Sequence, residues 1–206
     1  PFKLETAKKT PPSVSKNKNP QTVLPNSFQL PTGVRRGINL ACWWEICSDP
    51  RTLKMIDEMS EAGVRFVALS PAWYQKNPQS TEVYRAPGST APDESLRVFI
   101  RAAKDKGLSI LLKPHVEASE AGDWRGFINP KNRRQWFDSY SKMITHYAAL
   151  AKEEGVEAMT IGVELVQLEN ETSEWRKIIK AVRGVYDGEL TYAAGHNSYQ
   201  AVAFWN

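Results

Sequence analysis

From Gly37 onward one pattern repeats along the chain: a short apolar run, a loop, and an amphipathic helix that ends at a glycine. The first of these helices is predicted to begin with Asp49 as its N-cap and Pro50 at its first helical position. Strands that alternate with helices in this way pair in parallel and are covered by the helices. The sequence therefore predicts an α/β fold built on a parallel sheet.

Six apolar runs are predicted to form the strands of this sheet. In chain order they are residues 37–41, 64–69, 108–112, 158–163, 190–194 and 201–205. The second run is followed by a long predicted loop that carries Trp73 and Tyr74. Trp136 and Trp175 fall on the apolar faces of two predicted helices, so we expect both to pack in the core.

Two architectures fit a parallel sheet of this kind: a doubly wound open sheet and a (β/α)8 barrel of the TIM type. A doubly wound sheet places a glycine-rich phosphate-binding turn after the first strand, but residues 41–45 are bulky and acidic there. A barrel gathers polar and aromatic side chains at the carboxyl ends of its strands. We therefore expect a TIM-type barrel over residues 37–206, apparently incomplete because six strands are present.

Residues 1–36 differ from the rest of the chain in charge and composition. They hold six of the 13 prolines and seven Lys or Arg against one Glu, whereas the whole chain has a net charge of +4. Such a segment buries too little apolar surface to offset its ordering entropy, so we expect an extended basic tail or linker. It lacks the interleaved aromatic residues of a nucleic-acid platform, and no apolar run is long enough to span a membrane.

Cys42 and Cys47 are the two cysteines of the chain. They are either free thiols or one local disulfide in an exported protein, and no zinc-ligand spacing lies near them. We expect no metal ion and no organic cofactor. The compartment stays open, with an extracellular, periplasmic or cell-surface location favoured.

Seven tryptophans are present, and several fall where loops are predicted. Aromatic faces stack on the apolar C–H faces of sugars, while carboxylates and amides bind the hydroxyl groups. Sugar binding is therefore one interpretation of the tryptophans at the strand ends, and packing across the top of a barrel is the other. The candidates are Trp43, Trp73, Trp124 and Trp205.

Glu164 directly follows the fourth apolar run, so the strand is predicted to deliver its carboxyl group to the mouth of the barrel. Burial favours the protonated form of a carboxyl group, which makes such a glutamate a candidate general acid. The alternative is a buried structural glutamate paired with Lys113 or Arg125. His115, at another strand end, is a candidate to orient that carboxyl group or an ordinary structural histidine.

Eight motifs in residues 113–205 carry a resemblance to a known family. They are Lys113-Pro114-His115-Val116, Trp124-Arg125-Gly126, Trp136-Phe137-x-Ser139-Tyr140, Tyr147-Ala148, Ile161-Gly162-Val163-Glu164-Leu165, Trp175-Arg176, Thr191-Tyr192-Ala193-Ala194 and Phe204-Trp205. In these motifs the chain resembles glycoside hydrolase family 113 over residues 37–206. That family contains retaining (β/α)8 hydrolases and is best known for β-1,4-mannanases.

The resemblance implies retaining hydrolysis of β-1,4-mannan or a related β-linked polysaccharide, with Glu164 as the acid/base. The nucleophile of the family stands at the end of strand seven, for which this sequence has no matching position. Further residues or a second chain are then expected to complete the barrel. Eight residues are expected to contact the oligo- or polysaccharide: Trp43, Trp73, His115, Trp124, Tyr192, His196, Trp205 and Asn206.

Two departures from the family pattern keep a second hypothesis open. Gly195-His196 stands where the family has an Asn-Trp pair, and Asn206 stands where an aspartate is usual. The second hypothesis is a non-catalytic carbohydrate-binding or assembly protein on a degenerate glycosidase barrel. A weaker third is a protein-binding scaffold that pairs through an exposed strand after Trp205.

Overall fold

A computed structural model of the chain describes residues 36–118 and 123–205. The predicted basic tail, apart from Arg36, lies outside the described residues, and so does Asn206. The carbonyl oxygen of Arg36 accepts hydrogen bonds from the backbone amides of Arg65 and Phe66, at 2.9 and 3.1 Å. Backbone pairing in the described part of the chain therefore starts at Arg36, directly before the first strand.

Parallel strands alternate with helices along the described chain, as predicted. The strands are β1 (Gly37–Cys42), β2 (Phe66–Gln75), β3 (Ser109–Leu112), β4 (His115–Ala118), β5 (Ala158–Val163) and β6 (Glu189–Ala193). The helices are α1 (Pro50–Glu61), α2 (Asp93–Asp105), α3 (Arg133–Glu153) and α4 (Thr172–Arg183). Short 3₁₀ turns occupy Ile46–Ser48, Arg125–Phe127, Val166–Leu168 and Tyr199–Ala201.

The sheet follows the order β1-β2-β3-β5-β6, and β4 pairs with the far end of β2. Each of these pairings is parallel, with Ile38 opposite Val67 and Val67 opposite Ile110. The register between β5 and β6 shifts after Thr160, close to the end of β5. Such an irregularity redirects the side chains that follow it.

Two predicted helix signals are confirmed: the start of α1 and the glycine that ends α2. The Asp49 carboxylate accepts a hydrogen bond from the amide of Arg51 at the start of α1, and Pro50 takes the first helical position. Gly107, which ends α2, has a φ of 75°, a left-handed conformation that glycine adopts without the steric cost of a Cβ atom.

Large aromatic side chains from α3 and α4 fill the space between helices and sheet. Trp136 and Trp175 are both fully buried, as predicted. Their indole N–H groups donate to the Gln75 side chain and to the Leu168 carbonyl, each at 2.8 Å. No helix in the described ranges combines the length and apolarity needed to cross a membrane.

One predicted strand boundary and one predicted strand are wrong. β2 runs on to Gln75 because its end pairs with β4, so Trp73 and Tyr74 belong to a strand and not to a loop. Residues 201–205 form no strand: the Phe204 ring is buried instead, stacked on Trp175 at 5.2 Å. The described part of the sheet still has six strands, because the third predicted run is followed by a separate β4.

Candidate active site

The candidate site lies at the carboxyl ends of β2, β4 and β5, on the face of the sheet that points away from α3. Trp73 contacts α3, and side chains alternate along a strand, so Tyr74 points to the opposite face. The register of β2 and β4 places Ala72 beside His115 and Tyr74 beside Glu117. His115, Glu117 and Tyr74 therefore share that face.

Glu164 follows β5 in a conformation that is rare for a residue with a side chain. Its φ is 50°, in the left-handed region, and its amide donates to the carbonyl oxygen of Ala193 on β6 at 2.8 Å. Non-glycine residues persist there only when their surroundings enforce it, often at functional sites. The side chain is 35% exposed, so it opens more to solvent than the sequence led us to expect.

Arg125 joins the two carboxylates of the site. Its Nη1 donates to Glu164 Oε2 at 2.8 Å, and its Nη2 donates to Glu117 Oε1. Nη2 also lies 3.0 Å from His115 Nδ1, which is itself 3.3 Å from Glu117 Oε1. His115 thus accepts from Arg125 in one tautomer and donates to Glu117 in the other. This pairing with Arg125 is one of the two that the sequence left open for a structural glutamate at position 164.

Burial and charge set the protonation of the groups around Arg125. Burial lowers the pKa of His115 and the positive charge of Arg125 lowers it further, while the hydrogen bond to Glu117 opposes both. Burial raises the pKa of Glu117, but hydrogen bonds from His115 and Arg125 outweigh it, so this pKa lies below its usual range. Burial and the charge of Glu117 raise the pKa of Tyr74. Near neutral pH the site therefore holds a neutral imidazole beside an ionised Glu117.

Trp124 provides an open aromatic surface beside Glu164. Its indole Nε1 lies 3.4 Å from Glu164 Oε2, and the residue is 45% exposed. Its ring packs edge-on against Phe127 and lies over Gly126, where an added Cβ atom would come within 2.3 Å of the ring. Glycine at 126 therefore allows the ring to settle beside the carboxylate.

Tyr192 lies behind Glu164, against the backbone of the residues that follow it. Its hydroxyl group accepts from the amide of Leu165 and donates to Glu169 Oε1, both at 3.1 Å. Its ring packs edge-on against Trp175 and Phe204. Tyr192 therefore contacts the site at the backbone of Leu165, the residue that follows Glu164.

Trp43 stands at the end of β1, in a loop that the Cys42–Cys47 disulfide closes. It and its neighbour Trp44 are both exposed, and their ring centroids are 6.1 Å apart. The disulfide is the bonded alternative that the sequence left open. The loop therefore presents two aromatic side chains at the end of a strand.

Among the described residues, three further predicted contacts make no hydrogen bond or ring contact with His115, Glu117, Arg125 and Glu164, which together form the Arg125 cluster: Trp73, His196 and Trp205. The Trp73 ring packs against His146 and Tyr147 of α3, and the Arg85 guanidinium lies over the ring. His196 and Trp205 are exposed in the segment after β6. None of their contacts within the described ranges reaches Glu164.

The sequence patterns did not assign Tyr74 or Glu117 to the site. The signal for Tyr74 was its position next to Trp73, since adjacent strand residues face opposite sides. It was missed because β2 was expected to end at residue 69. Within residues 36–118 and 123–205, no group of three or more His, Cys, Asp or Glu side chains is arranged to hold a metal ion.

The chain is similar to solved structures of glycoside hydrolases. The GH113 β-mannanase from Alicyclobacillus acidocaldarius, solved in complex with ManMIm, is 28% identical with a TM-score of 0.78. A second GH113 β-1,4-mannanase is 30% identical with a TM-score of 0.76. Both alignments cover 83% of this chain but only 57% and 59% of those proteins, so the chain spans less than two thirds of their length.

More distant similarity concerns the fold alone. A family 1 β-glucosidase from Thermotoga maritima is 13% identical with a TM-score of 0.54, over 78% of this chain and 48% of that one. No curated protein matches the sequence. The similarities to glycoside hydrolase structures confirm the predicted TIM-barrel type of fold, of which six parallel strands are described here.

The family itself is shown by a sequence comparison that does not depend on the structure. A family model described as Glycoside Hydrolase Family 113 matches residues 45–206, well over half of the chain. This match confirms the resemblance carried by the motifs between residues 113 and 205. The chain belongs to glycoside hydrolase family 113.

Proposed function

We propose that this chain contributes the acid/base to a retaining glycoside hydrolase that acts on β-1,4-mannan or a related β-linked polysaccharide. Membership of family 113 supports glycoside hydrolysis, and the two similar family 113 structures are those of β-mannanases. The observation that carries the proposal is the placement of the Glu164 carboxylate, one third exposed at the end of β5 beside the open ring of Trp124.

The hydrogen bonds of Glu164 leave one oxygen atom for a substrate. Arg125 and Trp124 both approach Oε2, whereas Oε1 has no hydrogen-bond partner within the described residues. In a retaining mechanism the protonated carboxyl group donates its proton to the glycosidic oxygen as that bond breaks. The resulting carboxylate then takes a proton from the water that releases the sugar from the enzyme. Oε1 is the atom we assign to both transfers.

Arg125, Glu117 and His115 support this arrangement by fixing the other oxygen atom. The Arg125 guanidinium is held in place by Glu117 and His115, so its Nη1 meets Glu164 Oε2 in one orientation. Trp124 offers a face on which a sugar ring can stack. Trp43, Trp73, His196, Trp205 and Asn206 remain predicted sugar contacts.

A retaining mechanism also needs a nucleophilic carboxylate about 5–5.5 Å from the acid/base. Glu117 shares Arg125 with Glu164, but its Oε1 is bound by Arg125 and lies beside the His115 ring. We therefore keep the prediction that the nucleophile stands outside residues 37–206. Further residues or a second chain would supply it.

The Arg125–Glu164 ion pair favours a second candidate function. A carboxylate held by a guanidinium binds sugar hydroxyl groups without any need to exchange protons. A carbohydrate-binding protein that has lost hydrolysis is consistent with this pairing and with Gly195-His196 in place of the family pair. It predicts oligosaccharide binding that does not depend on a protonatable group at position 164.

The experiment compares Glu164→Gln with wild type in the full-length protein. Glutamine keeps the shape and the acceptor for Arg125 but can neither donate nor take up the proton. We expect β-mannan hydrolysis to fall by about 100-fold to 10,000-fold, the usual range for loss of general acid–base catalysis. Manno-oligosaccharide binding, measured by calorimetry, should persist.

Glu171→Gln is the matched control. Glu171 also pairs with an arginine, Arg133, and its side chain is 30% exposed, but it lies outside the Arg125 cluster. We expect this variant to hydrolyse β-mannan like wild type. Unchanged hydrolysis by Glu164→Gln would overturn the assignment, and binding without hydrolysis in the wild type would favour the second candidate.

The Cys42–Cys47 disulfide supports the expected location. Disulfides persist in oxidising compartments and are rare in the cytosol. An extracellular, periplasmic or cell-surface protein would also meet polysaccharide substrates directly. We therefore propose an exported protein whose partner is an oligo- or polysaccharide.

A further inference from the structure

The segment that follows Glu164 has to hold a strained backbone. A left-handed φ at a residue with a side chain costs on the order of 1–3 kcal/mol, and it persists only where the surroundings enforce it. At Glu164 this φ is 50° and directs where the carboxyl group points. The contacts that enforce it are therefore part of how the carboxyl group is aimed.

β6 supplies acceptors for two consecutive amides of that segment. The Glu164 amide donates to the carbonyl oxygen of Ala193 at 2.8 Å. The next amide, that of Leu165, donates to the hydroxyl group of Tyr192 at 3.1 Å. A backbone group and the neighbouring side chain of the same strand thus bind both peptide N–H groups at the left-handed turn.

The Tyr192 hydroxyl group is held in one orientation by Glu169. Because it accepts from Leu165, its own proton is free to go to Glu169 Oε1, 3.1 Å away. Burial raises the pKa of Tyr192, and the charge of Glu169 raises it further, so the proton stays in place. Tyr192 is therefore an acceptor on one side and a donor on the other.

Glu169 is an unusual residue to find in this place. It is only 1% exposed, and its second oxygen, Oε2, has no hydrogen-bond partner within the described part of the chain. A carboxyl group buried with so few partners is unfavourable for stability. Simple packing would be met by an apolar residue, so its contact with Tyr192 is the role that the structure offers.

The ring of Tyr192 is fixed by close packing on β5. A Cβ atom added to Gly162 would come within 2.6 Å of the Tyr192 ring and 2.8 Å of the Trp175 ring. Trp175 in turn donates to the Leu168 carbonyl at 2.8 Å, in the 3₁₀ turn after Glu164. Packing of the Tyr192 ring against Gly162 and Trp175 thus holds its hydroxyl group against the segment.

We propose that Tyr192 and Glu169 are positioning residues, which hold the Leu165 amide and thereby keep Glu164 in the left-handed conformation that aims its carboxyl group. Neither residue contacts the substrate. This role rests on the proposed function of Glu164 and replaces the predicted sugar contact of Tyr192 with an indirect one. A misplacement of a reacting group by about 1 Å can cost on the order of 100-fold in rate.

The test is Tyr192→Phe in the full-length protein, with Tyr186→Phe as the matched control. Tyr186 is a buried tyrosine, and its hydroxyl group donates at 2.9 Å to the carbonyl oxygen of Val156, which precedes β5 at the opposite end of that strand from Glu164. Each variant removes one buried hydroxyl group and keeps the ring. Two experiments are done on each variant. Steady-state kinetics on β-mannan gives kcat and KM, and NMR gives the hydrogen-exchange rate of the Leu165 amide.

We expect Tyr192→Phe to lower kcat about 10-fold or more, to leave KM within about twofold, and to speed exchange at Leu165 about 10-fold. Tyr186→Phe should change neither quantity. Glu169→Gln keeps an acceptor for the Tyr192 proton, so it should retain most of kcat and the slow exchange at Leu165.

Three results would overturn the proposal. A higher KM with unchanged kcat in Tyr192→Phe would make Tyr192 a sugar contact. Equal losses in Tyr192→Phe and Tyr186→Phe would reduce both to packing. Unchanged hydrogen exchange at Leu165 in Tyr192→Phe would show that the Tyr192 hydroxyl group does not hold the Leu165 amide. If the wild-type protein hydrolyses no β-mannan, the proposed function fails separately. The exchange rate at Leu165 then tests by itself whether Tyr192 holds the Leu165 amide.

Discussion

Two clusters of arginine and glutamate side chains lie in different parts of this molecule, and their charges are balanced differently. On the outside, Glu154 at the end of α3 receives Arg97 Nη1 at 2.7 Å and Arg101 Nε and Nη2 at 2.8 and 2.7 Å. At the strand ends, one arginine, Arg125, is shared by Glu117 and Glu164. The outer carboxylate has two cations, whereas the inner cation has two carboxylates.

The difference matches a structural role for Glu154 and the proposed catalytic role for Glu164. The Glu154 side chain is 6% exposed and both of its oxygen atoms are bound, so nothing remains for a ligand. Lys104 adds a bond to the Glu154 carbonyl at 3.0 Å, which fixes the end of α3 to α2. Glu164, in contrast, is 35% exposed, and its Oε1 has no hydrogen-bond partner among the described residues. Saturated pairs stabilise the helices, and an unsaturated pair leaves a group for chemistry.

Among the changes that break one of the two clusters, Arg125→Met in the inner cluster is expected to have the largest effect. This change removes the charge that holds Glu164 Oε2 and leaves Glu117 without its cation. We expect kcat/KM on β-mannan to fall about 10-fold to 100-fold through misplacement of Glu164. Steady-state kinetics on the full-length protein measures it.

Arg133→Met is the matched control for Arg125→Met. Arg133 also binds a glutamate, Glu171, and an asparagine, Asn129, but it lies outside the Arg125 cluster. Its replacement should leave kcat/KM unchanged. Equal rates in Arg125→Met and wild type would show that the inner cluster does not hold the acid/base.

A smaller effect, on stability alone, is expected from breaking the outer cluster with Glu154→Gln. The loss of one charge-assisted pairing among several should lower the free energy of unfolding by about 1 kcal/mol, because both arginines remain partly exposed to water. Urea unfolding measures this change. Hydrolysis at a temperature well below the unfolding transition should be unaffected, and a loss of kcat would blur the separation of roles.

The exposed Lys106–Asp57 pair provides the control for the outer cluster. Both side chains are half exposed, and such pairs contribute little to stability. Asp57→Asn should therefore leave the unfolding midpoint where it is. A change as large as that of Glu154→Gln would mean that burial does not distinguish these pairs.

The smallest effect is the pH dependence of that stability. Hydrogen bonds from Arg101 and Arg97 outweigh burial and hold the pKa of Glu154 below its usual range. A carboxyl group with a lowered folded-state pKa stabilises the fold above its unfolded pKa, and this contribution is lost as the pH falls through the folded value. Wild type should lose stability from about pH 4.5 downward more steeply than Glu154→Gln. Unfolding curves between pH 7 and pH 3 test this, and parallel slopes would contradict it.

Local patterns in the sequence were sufficient to predict the repeating strands and helices. The Asp49-Pro50 start of α1 and the buried Trp136 and Trp175 follow from capping preferences and from helical periodicity. The position of Glu164 after a fully apolar strand could be read in the same way. These features depend on neighbours in the chain.

Features that depend on distant partners could not be predicted. β2 extends to Gln75 because its end pairs with β4 and because Tyr74 forms a β-bridge with Tyr84. Residues 201–205 look like a strand, but the Phe204 ring is better buried against Trp175 and Tyr192. The Arg125 cluster likewise joins β4, β5 and a 3₁₀ turn. Only the fold brings these residues together.

The central claim is that Glu164 is the general acid, and leaving-group dependence tests it most directly. In Glu164→Gln, kcat/KM is compared for β-mannan and for a dinitrophenyl β-mannobioside, whose leaving group departs without protonation. The account predicts a loss of about 100-fold or more on β-mannan and a value within about 10-fold of wild type on the activated substrate. Equal losses on both substrates, or no loss on β-mannan, would contradict it.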